Sequence, residues 1–318
     1  MKYSLKKCYK STFCLLTFHI AAILLISSVE GSLCHEGYFF LPGMMQCHQW
    51  LGCTDLPSIS IQDLIGSGAV KSVYRAIWNG TTVAAAFLNN GKYLSDFKHN
   101  LNMLKIFNQS RFVVQLVGFC ESENIVLTEY HKFGNALNLQ RILRTRYMPN
   151  HANFGLNLCL NYAMILDHLH NGPAGTRVMC DSNDLNKLLS QLLVTQDLQL
   201  ILNDLDALPL VDYRLNLTIK CGLQELRGDF VAPEQRWQFE GNFEVDKMAG
   251  YGEKTDIWKA ASVCEYFLSL VAGEDVLLYR LFDLHKSCKY FLPELRPSAK
   301  QLVQIYKEVA EELEHTEL

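Results

Sequence analysis

The stretch Gly66-Ser67-Gly68-Ala69-Val70-Lys71-Ser72-Val73 lies between two runs, residues 61–65 and 70–78, that read as β-strands. A glycine turn in that setting can lay backbone N–H groups over the phosphates of a nucleotide, because missing side chains permit close approach. The same Gly-x-Gly pair would also serve as a plain hairpin turn. A dinucleotide site is a poorer match, since it requires a strand-to-helix turn and a third glycine.

Working outward, residues 82–88 form a third strand candidate. Leu94, Phe97, Leu101, Leu104 and Phe107 then recur at helical spacing. Residues 113–119 and 124–129 read as short strands. Beyond Gly134 the pattern turns helical, with helices expected at 156–169, 256–271 and 298–313. Strands first and helices later imply an α+β fold of two lobes joined near residues 130–135. No internal repeat or low-complexity linker interrupts the pattern.

The 318 residues are 49% hydrophobic, enough for a substantial core, and the net charge of -4 is spread along the chain. A nucleic-acid partner is not expected, because it would need clustered lysine and arginine. At the N-terminus Lys2, Lys6, Lys7 and Lys10 precede an apolar run over 13–29, and the first acidic residue is Glu30. The run is near the lower length limit for a membrane-spanning helix, and the leading lysines favour a cytoplasmic N-terminus. The expectation is a type II signal-anchor: a cytoplasmic tail at 1–12, a transmembrane helix at 13–29 and a lumenal remainder. The alternative is a cleaved signal peptide, with Val29 and Gly31 as small residues before the cut. Both readings translocate the rest of the chain. Sequons at Asn79-Gly80-Thr81, Asn108-Gln109-Ser110 and Asn216-Leu217-Thr218 agree with that placement. So does a segment at 30–57 rich in Gly, Pro and aromatics, where Cys34, Cys47 and Cys53 suggest disulfide staples. His35 and His48 leave zinc as the rival, although no C-x-x-C spacing is present. Three cysteines cannot pair among themselves, so one is expected to reach a cysteine in the body of the protein. Cys8 and Cys14 would stay outside the lumen.

The glycine stretch resembles the protein-kinase loop G-x-G-x-x-G-x-V, with Lys71 at the third glycine. Val83-Ala84-Ala85-Ala86 resembles the kinase V-A-I-K strand, with Ala86 where the lysine belongs. Kinases of the with-no-lysine type make the same exchange. The resemblance therefore implies that Gly66 and Gly68 cover the ATP phosphates while the Lys71 ammonium pairs with them. The helix at 94–107 resembles helix αC and puts Asn100 at the usual glutamate; Asp96 is another candidate for that role. Residues 125–131 resemble a hinge, with Thr128 as gatekeeper and the Glu129 carbonyl and His131 N–H meeting adenine. His168 and His170 fall at the end of the next helix, where packing or surface roles are expected rather than metal binding. Arg177-Val178-Met179-Cys180-Asp181 replaces the catalytic-loop sequence. Its H-R-D histidine and arginine become Met179 and Cys180, leaving Asp181 as catalytic base and Asn186 as a metal ligand five residues on. Asp204-Leu205-Asp206 resembles D-F-G, which implies that Asp204 binds Mg²⁺, or Mn²⁺ in its place. The Asp181–Asp204 gap is longer than usual, so Gln191 or Asp206 could replace Asn186. Ala232-Pro233-Glu234, Asp256-Ile257-Trp258 and Arg296-Pro297 resemble the later landmarks and imply a structural Glu234–Arg296 ion pair. The resulting layout is a bilobal protein-kinase fold at 58–318, with a β-rich N-lobe at 58–131 and a helical C-lobe at 132–318.

Residues 175–184, 203–210 and 228–234 closely resemble the protein O-mannose kinase family. That resemblance implies an enzyme of the endoplasmic reticulum membrane, with its kinase domain lumenal. It would transfer the γ-phosphate of ATP to the 6-hydroxyl of O-linked mannose in a GalNAc-GlcNAc-Man trisaccharide on α-dystroglycan. Acceptor contacts would fall within 207–234. A primary sugar hydroxyl and a serine pose the same chemical problem, so a lumenal Ser/Thr protein kinase is one alternative. Ala86, Asn100 and the altered D-F-G make a binding-only pseudokinase another.

Overall fold

The computed structural model describes residues 34–108, 110–145, 151–271 and 274–316. The expected tail and anchor, with Cys8 and Cys14, lie outside the described residues. Among the described residues no helix is long and apolar enough to cross a membrane.

A short hairpin, β1 (Tyr38–Phe39) and β2 (His48–Gln49), precedes β3 (Ile59–Ser67), β4 (Lys71–Trp78), β5 (Thr81–Leu88) and helix α1 (Leu94–Ile106). β6 (Leu116–Cys120) and β7 (Ile125–Glu129) complete a five-stranded antiparallel sheet of order β3-β4-β5-β7-β6. Strand alternation gives this sheet two apolar faces. Ala86, Leu116 and Val126 meet Phe97, Leu101 and Leu104 of α1 on the inner face. Ala76, Val83, Ala85, Val117 and Leu127 form the outer face, which Phe39, Leu41 and Leu51 of the cysteine-rich segment cover. That segment is too short to hold itself there, and two disulfides fix it: Cys34–Cys47 within it and Cys53–Cys120 to the end of β6. Cysteine pairing rather than zinc is thus the outcome, and Cys53 is the residue that reaches the body of the protein. Leu51 also pairs with the β6 edge through Leu51 N to Val117 O (3.0 Å) and Phe119 N to Leu51 O (2.9 Å). A Cβ on Gly118 would come within 2.5 Å of the Leu51 carbonyl, so this approach requires glycine.

After the hinge come α2 (Leu139–Thr145), α3 (His151–Asn171), β8 (Thr176–Arg177), α4 (Leu185–Ser190), β9 (Leu192–Val194), β10 (Leu200–Leu202) and β11 (Leu210–Val211). The chain ends in α5 (Lys254–Ser269), α6 (Glu274–Cys288) and α7 (Ala299–Thr316). α3 packs against α5 and α7, and Cys159–Cys264 ties α3 to α5. Helix α6 was not expected. Its Val276, Tyr279 and Phe282 are exposed while Leu277, Leu281 and Leu284 are buried, so apolar residues occupy both faces and blur the helical period. Asn79 and Asn216 are exposed on turns, both with positive φ. Asn108 is buried, and its amide nitrogen donates to Tyr38 O (3.2 Å), so this sequon offers no glycan site in the folded chain.

Candidate active site

A cavity of about 530 Å³ lies between the lobes. The glycine turn borders one side, the hinge from Glu129 to Asn135 the back, and Asp181, Lys187, Gln191, Asp204 and Asp206 the other side. Gly68 N bonds to Lys71 O (3.0 Å), closing the turn, and Asn89 Nδ2 donates to Gly68 O (2.8 Å). Lys71 and Val73 share one face of β4 by the two-residue strand period, and Val73 pairs with Ala86 on β5. A lysine moved from Ala86 to Lys71 therefore still enters the same cleft.

Lys71 Nζ lies 2.6 Å from Asp204 Oδ1, 3.6 Å from Asp206 Oδ2 and 3.1 Å from Asn100 Oδ1. Burial alone would lower its pKa, but the charges of Asp204 and Asp206 outweigh that and hold it above the usual lysine value. Asn100 is buried, and the same oxygen accepts from Leu205 N (3.1 Å), so one amide joins α1, β4 and the Asp204-Leu205-Asp206 turn. Asp96 does not take the glutamate's place. It does not line the cavity and accepts instead from Ser95 Oγ (3.4 Å).

Asp181, Asp204 and Asp206 each present an oxygen within 4.8 Å of the others. Burial would raise the Asp204 pKa, yet the Lys71 ammonium wins and keeps it below the ordinary carboxylate value. Burial and the Asp204 charge together push Asp206 up to about 7 despite Lys71. Three converging carboxylates, one of them forced toward its neutral form, fit a hard divalent cation with oxygen ligands. Asn186 is not part of this group: it is exposed and does not line the cavity. The insertion between Asp181 and Asp204 folds into α4, capped by Asp184 Oδ1 accepting from Lys187 N (2.9 Å). Residues four apart share a helical face, so Lys187 and Gln191 enter the cavity together while Asn186 turns away. Gln191 Nε2 is 3.5 Å from Asp181 Oδ2.

Lys187 went unnoticed in the sequence. Its Nζ is 2.7 Å from Asp181 Oδ2; burial would depress its pKa, and the bond and charge of Asp181 raise it instead. The spacing Asp184, Leu185, Leu188, Leu189 was the available signal, a helix cap followed by an apolar stripe. Gly66, Gly68, Lys71, Glu129, His131, Asp181 and Asp204 all line the cavity. Thr128 pairs with Ala84 on the cleft side of the sheet but is not a lining residue.

The loop carrying Asp181 is held from below. The buried Asp256 of α5 accepts from Met179 N (3.1 Å) and meets His170 Nε2 (3.2 Å), so His170 does the anchoring that an H-R-D histidine would do. Lys259 Nζ donates to Ser182 Oγ (2.7 Å), which in turn donates to Met179 O. His168 packs against Phe107 and Phe112.

A match to the family described as protein tyrosine and serine/threonine kinase covers residues 59–187. The human protein named Protein O-mannose kinase is 42% identical over 293 residues, 90% of this chain and 83% of that protein. Its Xenopus laevis counterpart is 41% identical over 291 residues, 89% of this chain and 82% of that one. The Gallus gallus counterpart is 42% identical over 291 residues, 89% and 81% respectively. With two lobes, a relocated lysine and three clustered aspartates between them, the chain belongs to the protein O-mannose kinase family.

Proposed function

We propose that this chain is a carbohydrate kinase that phosphorylates the 6-hydroxyl of O-linked mannose in a GalNAc-GlcNAc-Man trisaccharide on α-dystroglycan. ATP and a divalent cation come with the kinase family, and Mg²⁺ is the ion we assign. The observation that carries the reading is the meeting of Lys71, Asp181, Lys187 and Asp204 in one cavity beneath the glycine turn. A pseudokinase would have no need to keep all four. Asp181 orients the acceptor hydroxyl and takes its proton as the oxygen bonds to the γ-phosphorus and the bond to the β-phosphate oxygen breaks. Lys71 and Lys187 supply positive charge where phosphate oxygens would lie. Asp204 and Asp206 would hold the cation, which would neutralise phosphate charge when bound, and Asp181 stays free to act as the base.

We place the chain in the endoplasmic reticulum membrane as a single-pass type II protein, with the kinase domain lumenal. Four disulfides and two exposed sequons support that placement.

The test is phosphate transfer from Mg·ATP by protein secreted from animal cells, with the trisaccharide and Ser/Thr peptides as rival acceptors. Asp181→Asn serves as the control for contaminating kinases. Asp181-dependent transfer to the trisaccharide alone is expected. Transfer to peptides would favour a protein kinase, and nucleotide binding without turnover would favour the pseudokinase reading. Mass spectrometry of the same protein should find N-glycans at Asn79 and Asn216 but not at Asn108. Lys187→Met should lower kcat for the trisaccharide by roughly 10- to 100-fold with little change in nucleotide affinity. An unchanged kcat would make Lys187 a surface lysine.

A further inference from the structure

The segment after the catalytic aspartates is held against the Asp181 loop by an unusual contact. Cys180, the residue before Asp181, is bonded to Cys221. Around this bond the two segments pair through Leu210 with Arg177 and Val211 with Thr176, and through Cys180 N to Ala207 O (3.1 Å). Farther along, Ile219 and Tyr251 exchange two backbone hydrogen bonds, each of 3.0 Å, and Cys221 N donates to the Tyr251 hydroxyl (2.5 Å). Val178, Val211, Ile219, Cys221 and Tyr251 form a small core of their own.

The other restraints on this stretch lie at its surface: the Tyr213 hydroxyl donates to Glu253 Oε2 (2.8 Å), and Lys220 Nζ donates to Val245 O (2.8 Å). Between Asp212 and Leu223 only Ile219 and Cys221 are buried, while Tyr213, Leu215 and Leu217 stand in solvent. A segment with so few buried contacts would open at low free-energy cost. Kinases that share this difficulty order the segment by phosphorylation, with arginines drawing the new phosphate in. Here the H-R-D arginine position is Cys180, and a covalent bond occupies the place of the charge pair.

We propose that the Cys180–Cys221 disulfide positions the acceptor side of the site in place of segment phosphorylation. Cys180 and Cys221 are positioning residues: they act through the 207–222 wall and the setting of Asp181, not on the phosphates. Closing the loop between them removes open conformations of the segment from the ensemble. Nucleotide contacts, on the far side of Asp181, are largely independent of the bond. The acceptor consequence rests on the phosphotransfer reading above, whereas the ordering of the segment does not.

The experiment compares the full chain with its Cys180→Ser/Cys221→Ser double variant, and with Tyr251→Phe, which leaves the disulfide and removes the hydroxyl acceptor. Amide hydrogen exchange over 212–222 is expected to quicken about tenfold or more in the double variant and less in Tyr251→Phe. The KM for ATP should stay within about twofold, while the KM for the trisaccharide rises about tenfold or more. Phosphatase treatment of the unmodified chain should leave its activity unchanged, because neither Tyr213 nor Thr218 needs a phosphate. Unchanged exchange over 212–222, an equal loss for ATP and acceptor, or activity that depends on a phosphate in the segment would each overturn the proposal. Faster exchange in a chain that transfers no phosphate, even unmodified, would support the clamp and overturn the proposed reaction.

Discussion

Asp204→Asn is expected to lower phosphate transfer by about three orders of magnitude, roughly 4 kcal/mol of transition-state stabilisation, with little change in stability. Asp204 is the carboxylate that Lys71 holds in its charged form at 2.6 Å inside a desolvated cleft. An amide there removes the carboxylate that Lys71 keeps charged and releases Lys71 from the residue that aims it. The side chain keeps some access to water, so the fold should tolerate the exchange. Initial rates at saturating ATP and acceptor, over a range of cation concentration, are the measurement. A residual rate within about tenfold of the unmodified chain would mean that Asp206 carries the role assigned to Asp204.

The largest expected effect on stability comes from Arg296→Met. Arg296 is fully buried and makes a two-pronged contact with Glu234, Nη1 to Oε1 at 2.6 Å and Nη2 to Oε2 at 2.8 Å. The same guanidinium donates to the carbonyls of Tyr290 (2.8 Å), Lys254 (2.9 Å) and Phe291 (3.1 Å). Methionine fills much of the volume but leaves a carboxylate and three carbonyls without their donor. Breaking a buried pair from one side costs about 3–5 kcal/mol, which in a domain of this size is roughly ten degrees of Tm. Thermal unfolding under non-reducing conditions measures it. A fall of only one or two degrees would mean that water reaches Glu234 and replaces the arginine.

Lobe order, the sheet and most of the cleft could be read from the chain because each rests on local periodicity or a short motif. Lys71 is the clearest case: one lysine missing at Ala86 and one present two strand positions from Val73 suffice to place an ammonium in the cleft. Asn100 was legible as a position but not as a function, since its bond to Leu205 N joins residues 105 apart in sequence. Gln191 was legible only as an alternative to Asn186, raised by the long Asp181–Asp204 gap, and Lys187 was harder still. Which residue of the insertion faces Asp181 depends on the helical phase of six residues, and counting from the aspartate selected Asn186 instead. The partners of Cys53, Cys159 and Cys180 were beyond reach, because side chains 41 to 105 residues apart meet only after the lobes are packed.

The described residues hold four disulfides and one thiol, that of Cys288 at the end of α6. Burial pushes this thiol up to about 12, against the opposing pull of Lys289 and Arg296. Only the thiolate attacks a disulfide, and at neutral pH its fraction here is on the order of 10⁻⁵. An unpaired cysteine is ordinarily the intruder that scrambles bonds during oxidative folding, and Cys159–Cys264 lies in the same helical core. Once α6 docks, that attacker is withdrawn from exchange. The hazard of mispairing is thereby confined to the interval before the helical lobe closes, and an isomerase would have its work there rather than on the finished protein.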